Sequence, residues 1–433
     1  MYRSEYQRKL TTPESAVVGV ADSSTLIHGM AAGEPPALLD ALAERLRAGD
    51  LTGLQVYSLL PMAHMGRTLL DPELADRVDT YSWFVSASDR DMIKRGLSYF
   101  IPNEFHQVPR FIREYMDVDV VITTVSPMDR AGFFTFGAIN DYISTAARHC
   151  KRLIVEVNPQ MPRVFGDSLL HVSEVDAIVE NELPLPELPI EPPRPEAEII
   201  GRSITELIPD GATIQLGIGG IPNAVAASLG GHKDLGVHTE LFCSGMVQLI
   251  KQGALTGSQK SIHPRKHVFA NALGDKELYE FIDDNPSMES YAVSYVNDPG
   301  IIASNSKMIS INSTLEVDLL GQCNSEFLEG FEFSGTGGQL DYVRGAYKSE
   351  GGKSFIAFYS TAEGGEISRI VPHLDPGAVI TTPRMDTHYL ATEHGIVDLK
   401  GKSTKERALD IIGMAHPDFM DDLLKAAQEM KLV

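Results

Sequence analysis

Short apolar runs alternate along this chain with stretches whose apolar positions recur every three or four residues. The runs at 118–125, 153–157, 177–179, 213–216, 308–311, 355–358 and 378–381 are rich in β-branched residues. Their length and near-continuous apolarity predict buried parallel strands. Helical periodicity predicts helices over 14–18, 37–48, 199–208, 223–229, 244–252, 276–283 and 405–414. Strands alternating with helices call for an α/β class with a mainly parallel sheet.

The pattern repeats. His28-Gly29-Met30-Ala31-Ala32-Gly33-Glu34-Pro35-Pro36 resembles Gln215-Leu216-Gly217-Ile218-Gly219-Gly220-Ile221-Pro222. Each is a strand end, a turn of small residues and a helix opened by proline. A strand follows in both copies, Gly53-Leu54-Gln55-Val56-Tyr57 and Gly236-Val237-His238-Thr239-Glu240, which sets Tyr57 against Glu240. Further on, 121–125 parallels 309–312, and Lys151-Arg152-Leu153 parallels Lys353-Ser354-Phe355. Four matched segments in one order predict two related open α/β domains in tandem, with one carboxylate between them.

Prolines crowd 183–196 and forbid both helix interior and central strand there. Such a segment reads as an extended, semi-rigid linker. It divides the chain into an N-terminal domain over 1–182 and a C-terminal domain over 197–433 that carries Glu240.

Composition narrows the function. A formal net charge of −22 over 433 residues argues against nucleic acid, whose phosphates demand a basic surplus. It leaves room for a small phosphate-bearing ligand held by a few local cations. Cys150, Cys243 and Cys323 are too few and too scattered for a disulfide framework or a zinc site, which fits a reducing cytoplasm. The N-terminus lacks the apolar core of a signal peptide, and no apolar run approaches the roughly 20 residues of a membrane span. No grouping of His, Cys and acids has metal-ligand spacing, so no metal is expected.

Glu240 follows a strand and lies between two glycine-rich turns in sequence, Gly217-Ile218-Gly219-Gly220 and Gly335-Thr336-Gly337-Gly338. Glycines let backbone N–H groups approach an anionic ligand, and a carboxylate beside them is a candidate nucleophile or general base. Each piece alone also reads blandly, as a solvated glutamate and tight turns. The full dinucleotide fingerprint, a Walker sequence and a GxSxG elbow are all missing.

Taken together, Gly217-Ile218-Gly219-Gly220-Ile221-Pro222, His238-Thr239-Glu240, Tyr295-Val296-Asn297-Asp298-Pro299, Gly335-Thr336-Gly337-Gly338-Gln339 and Gly364-Gly365-Glu366-Ile367-Ser368 resemble the acetyl-CoA hydrolase/transferase family of glutamate-dependent CoA-transferases. The resemblance covers essentially the whole chain and is greatest to the 4-hydroxybutyrate/butyryl-CoA transferase branch. It implies that Glu240 forms a thioester with CoA, and that Asn297 and the Gly338 backbone stabilise oxyanions around it. It implies His28 and Gln215 in the substrate pocket, with Gly217, Gly219, Gly220, Gly335 and Gly337 along the CoA arm. Lys400 and Lys402 are candidates for the CoA phosphates.

The resemblance further implies ping-pong transfer of CoA to a short-chain acid through a γ-glutamyl thioester, in a closed site between the halves. Acyl-CoA and a carboxylate are the partners, with no permanently bound cofactor and a homodimer or higher even assembly. The alternatives are an acyl-CoA hydrolase using the same glutamate, an itaconate or succinate CoA-transferase, and a sugar-phosphate isomerase or CoA-sensing module on a related scaffold. Trp83 and Phe105 are read as core, with the wall of an acyl pocket as the alternative.

Overall fold

The computed structural model describes residues 2–188 and 192–433. It divides into two compact units that are not consecutive segments. One comprises Met1–Pro189, Val268–Val296 and Phe331–Gly335; the other comprises Ile190–His267, Asn297–Gly330 and Thr336–Val433. The sequence reading has two successive domains, whereas the chain returns twice to the first unit after leaving it. Residues 189–191 of the expected linker lie outside the described residues. Its earlier part packs on the first unit, through the Leu183 and Pro186 carbonyls, which accept from Asn158 and Tyr279. Its last two residues differ from the expectation, since a helix begins at Pro195, with proline at N1 where no N–H is missed.

In the first unit seven strands form one parallel sheet: Thr25–His28 (β1), Leu54–Ser58 (β2), Val78–Ser82 (β3), Ser98–Phe100 (β4), Val118–Val125 (β5), Cys150–Val157 (β6) and Ala177–Glu180 (β7). Their order is β7-β6-β5-β1-β2-β3-β4, with every neighbouring pair parallel. Helix Pro36–Ala48 (α1) follows β1. Leu38, Leu39, Leu42 and Leu46 fall on one face of α1 and pack with Leu26, Val56 and Ile122 of the sheet. Gly49 ends α1 in the left-handed conformation at φ 80°. The N-cap, Pro35, has no side chain for the free N–H groups. Glu156 at the end of β6 accepts from Ala37 and Leu38 at 3.0 and 3.2 Å instead.

The second unit contains Thr213–Leu216 (β8), Gly236–Phe242 (β9), Met308–Asn312 (β10), Lys353–Ala357 (β11), Tyr389–Thr392 (β12) and Gly395–Asp398 (β13). They run in the order β13-β12-β11-β10-β8-β9. All pairs are parallel except β12 with β13, a tight antiparallel hairpin. A second apolar core of Val343, Ile356, Phe358, Leu390 and Ile411 covers this sheet. The expected strand over 378–381 is not formed. Prolines at 376 and 383 flank the segment, and an isolated antiparallel bridge to Cys323 is all the pairing it makes among the described residues.

The repeat is carried by topology. In each unit the first strand is central, the second lies on one side, and the next three elements of the repeat lie in order on the other. The register corrects two of the sequence matches. Ile27 stands opposite Tyr57, and Ile214 opposite Val237. With His28 equated to Gln215, Tyr57 therefore corresponds to Val237, and the counterpart of Glu240, three residues on, is Leu60. Likewise Ile122 faces Ile154 and Ser310 faces Ser354, so Ile154, not Arg152, corresponds to Ser354. Backbone ladders set register, which the likeness of two short strings does not fix. The asymmetry survives with a different residue: the first copy has a leucine where the second has its acid.

Candidate active site

Parallel strands deliver their carboxyl ends to one edge of a sheet, the usual place for a ligand in open α/β folds. At that edge of the second unit lie the turn after β8 and the last residues of β9. Glu240 is half-buried there, after the fully buried His238 and Thr239. Asn297 Nδ2 donates to Glu240 Oε2 at 2.5 Å. Asn297 is itself completely buried, and its Oδ1 has no hydrogen-bond partner among the described residues. The bond requires Glu240 Oε2 to act as acceptor, since the amide nitrogen can only donate.

Gly338 lies against both residues. A Cβ there would run into Glu240 Oε2 and Asn297 Nδ2, so glycine is required by close approach. Its φ of −92° is ordinary. The convergence has a packing origin. Asn297 directly precedes Asp298, the N-cap of helix Pro299–Ala303, and Gly338 caps helix Gln339–Lys348. We name the helix Gly220–Ser228 α2 and these two α3 and α4. α3 and α4 pack together, with Ile302 pressed against Gly345 and clustered with Met308, Tyr342 and Ala346. Asp298 fixes the start of α3 by accepting from Gly300 and Ile301 at 2.7 and 3.0 Å. Tyr342, one turn into α4, was not singled out by sequence. Burial, followed by the charges of Glu240 and Asp341, holds its phenol protonated well above the usual range.

Gln215 ends β8 beside this edge. Its amide is engaged with Asn312 of β10, donating to Oδ1 at 3.1 Å and accepting from Nδ2 at 3.2 Å, and it accepts from Ile311 N at 3.3 Å. One Nε2 hydrogen remains for a substrate. Gly217 meets only ordinary contacts. Gly219, at φ 115°, makes the sharp entry into α2, and Gly219 and Gly220 are exposed. Gly337 has a left-handed φ of 54°. Gly335 belongs to the first unit, where Phe84 leaves no room for a side chain.

His28 ends β1 in the first unit and is wholly buried. Its Nδ1 lies 2.8 Å from the Gly29 carbonyl, so Nδ1 carries the hydrogen and Nε2 offers a lone pair. Nε2 has no hydrogen-bond partner among the described residues. Burial lowers the imidazole pKa to about 4, so the ring is neutral near pH 7. A neutral ring in this tautomer accepts at Nε2 and has nothing to donate to a carboxylate. Trp83 is core, within 5.7 Å of Tyr57 and 5.3 Å of Tyr142 by ring centroid, and Phe105 is buried too.

Lys400 and Lys402 are not at this edge. β13 runs antiparallel to β12, with Asp398 opposite Tyr389, and so carries the chain back to the amino-terminal edge of the sheet. There Lys400 donates to the Met385 carbonyl at 2.5 Å and lies 4.0 Å from the centre of the Tyr347 ring, while Lys402 pairs with Asp410 at 2.5 Å. The two lysines expected to meet the CoA phosphates thus lie at the edge of the sheet opposite Glu240. A hairpin reverses direction where a parallel crossover would not.

Residues 1–189 match the acetyl-CoA hydrolase/transferase N-terminal domain and residues 274–427 its C-terminal domain. The chain is 44% identical to succinyl-CoA:cyclohexane-1-carboxylate CoA transferase of Geobacter metallireducens, over 100% of this chain and 98% of that protein. The crystal structure of RipA from Yersinia pestis is 49% identical with a TM-score of 0.97, each chain covered completely. That of 4-hydroxybutyrate CoA-transferase from Porphyromonas gingivalis is 34% identical with a TM-score of 0.86, over 99% of this chain and 100% of that one. No helix among the described residues is long and apolar enough to cross a membrane.

Proposed function

The chain belongs to the acetyl-CoA hydrolase/transferase family, and from that premise we propose that it transfers CoA from an acyl-CoA to a carboxylic acid through a thioester on Glu240. The observation that carries this reading is the Asn297 bond to Glu240 Oε2, with the Gly338 backbone closed against both. The named activities of the relatives support the substrate class: an acyl-CoA donor and a free acid, with 4-hydroxybutyrate, butyrate and acetate as the type acceptors.

A Glu240 carboxylate oxygen attacks the thioester carbonyl. The C–S bond breaks, and CoA leaves as thiolate from a mixed acyl–glutamyl anhydride. The thiolate then attacks Glu240 Cδ, the anhydride C–O bond breaks, and the first acid departs with that oxygen. A second acid runs the same steps in reverse on the γ-glutamyl thioester. Each addition places negative charge on a carbonyl oxygen, and fixed donors there are worth roughly 3–4 kcal/mol each. Asn297 Nδ2 and the Gly338 N–H supply them. Chain, acyl-CoA and acid suffice, and neither half-reaction is strongly uphill because one acyl carboxylate is exchanged for another.

Incubation with acetyl-CoA followed by intact-mass measurement tests the proposal. A CoA adduct that is lost on adding butyrate, with butyryl-CoA as product, is expected. An unmodified chain, or acetate release that is indifferent to added acid, overturns transfer; the second result assigns hydrolysis instead.

A further inference from the structure

With the lysines removed to the opposite edge, the carboxyl edge of the second unit's sheet still holds cations that nothing above uses. Arg369 is partly buried, and Arg194 is exposed just before helix Pro195–Thr205. Neither guanidinium makes a hydrogen bond or ion pair with another described residue. They are neighbours of one another and of Tyr359. The Arg194 guanidinium lies 5.5 Å from the centre of the Tyr359 ring, and its charge lowers the pKa of Arg369, after the larger effect of burial. Tyr359 follows β11, and its hydroxyl lies 3.2 Å from where a Cβ on Gly220 would sit. Gly220 opens α2 out of the exposed glycine turn.

Glu393 acts on Arg369 through its charge, but no acid among the described residues forms an ion pair with either arginine. Glu393, after β12, is taken by Ser360, whose hydroxyl donates to Oε1 at 2.5 Å and whose N–H donates to Oε2 at 3.0 Å. The charge of Glu196 reaches Tyr359, but this side chain forms no ion pair with either arginine among the described residues. Two like charges brought together with one of them desolvated are costly unless an anion joins them. Arginine forks, a phenol and backbone N–H groups at a helix start make a set suited to phosphate.

We propose that Arg194, Arg369 and the Tyr359 hydroxyl, set against the glycine turn at Gly219 and Gly220, hold a phosphate group of CoA. This rests on the reading of Glu240 as the residue that takes CoA. The placement agrees with the length of the cofactor. Glu240 is on β9 and Tyr359 follows β11, three strand spacings away, or about 14 Å along the edge. An extended pantetheine arm spans a distance of that order. The thiol end then meets Glu240 while the nucleotide end stays at the exposed glycines.

The test compares acetyl-CoA with S-acetylpantetheine, which has the thioester and no phosphate. Arg369→Ala and Arg194→Ala should each raise KM for acetyl-CoA by about tenfold, the scale of one lost charge-assisted hydrogen bond, with KM for acetylpantetheine changed less than about twofold. An equal rise for both substrates, or no rise for acetyl-CoA, overturns the assignment. Arg194 is exposed, so its variant carries the test if Arg369→Ala folds poorly. Titration of wild type and variants with adenosine 3′,5′-bisphosphate separates this inference from the thioester chemistry. Binding that weakens in both variants supports the phosphate site even if no adduct forms at Glu240. Binding unchanged by both substitutions overturns the site even if the adduct forms.

Discussion

Asn297 holds Glu240 by a single oxygen, Oε2, at 2.5 Å. The donor is fully buried and rigidly delivered by the start of α3, so the carboxylate is oriented before any substrate arrives. Replacing Asn297 by Ala removes both the orientation and a donor to developing charge. The expected result is a fall in kcat of about a hundredfold to a thousandfold, measured with acetyl-CoA and butyrate. Asn297→Asp should be at least as severe, since it sets one carboxylate against another. Activity within about threefold of wild type in Asn297→Ala contradicts the role.

Gly338 has ordinary backbone angles, so alanine is sterically refused there only by Glu240 and Asn297. Gly338→Ala should therefore cost activity far more than stability. A loss of more than about a hundredfold in turnover is expected, with a melting temperature lowered by only a few degrees. Calorimetry beside steady-state kinetics checks it, and a variant of normal activity refutes the packing argument.

His28 presents a lone pair at Nε2 and titrates near pH 4. In that state the ring accepts from a hydroxyl and gives nothing to a carboxylate. His28→Phe should then raise KM for 4-hydroxybutyrate by about tenfold, the scale of one buried hydrogen bond. KM for butyrate should change little. The pH–rate profile of wild type should show no break near 6.5 that disappears in the variant.

Glu156 caps α1 from another element, and burial pushes its carboxyl up from 4.5 to about 7. The folded state thus keeps a proton that the unfolded state has lost. The stability this supplies is complete below pH 4.5 and is lost as pH rises through about 7. Glu34, at about 8, and Asp141, at about 7, are raised by the same cause and act in the same direction. Glu156→Gln should flatten the fall in stability between pH 5 and 8, read by denaturant melts across that range. An unchanged slope would remove Glu156 from the linkage.

The first copy of the repeat has Leu60 at the position of Glu240, so the proposed nucleophile has no counterpart there. Intact mass under acetyl-CoA should show one CoA added and never two, and none in Glu240→Gln. A second equivalent, or an adduct that survives Glu240→Gln, places the chemistry elsewhere.

Much of this was legible in sequence because it depends on local periodicity. The strands at 118–125 and 213–216 appear within the expected bounds, since a run of β-branched residues bounded by turns has one good conformation. Glu240, Asn297 and Gly338 were singled out by motif, and the structure brings these three together. Gln215 was singled out as well, but its commitment to Asn312 depends on β10 lying next to β8, which no spacing reveals.

By itself the sequence determined the α/β class, the doubled scaffold and the presence of one acid in the second copy, all of which follow from side-chain type and period along the chain. Tertiary structure alone decided the rest. Register replaced Tyr57 with Leu60, the reversal of β13 sent Lys400 and Lys402 to the far edge, and the crossovers gathered Arg194, Tyr359 and Arg369. The physical reason is common to all three. Which strand lies beside which, and in which direction, is set by backbone hydrogen bonds between distant segments, and a side chain's neighbours are fixed only once those ladders close.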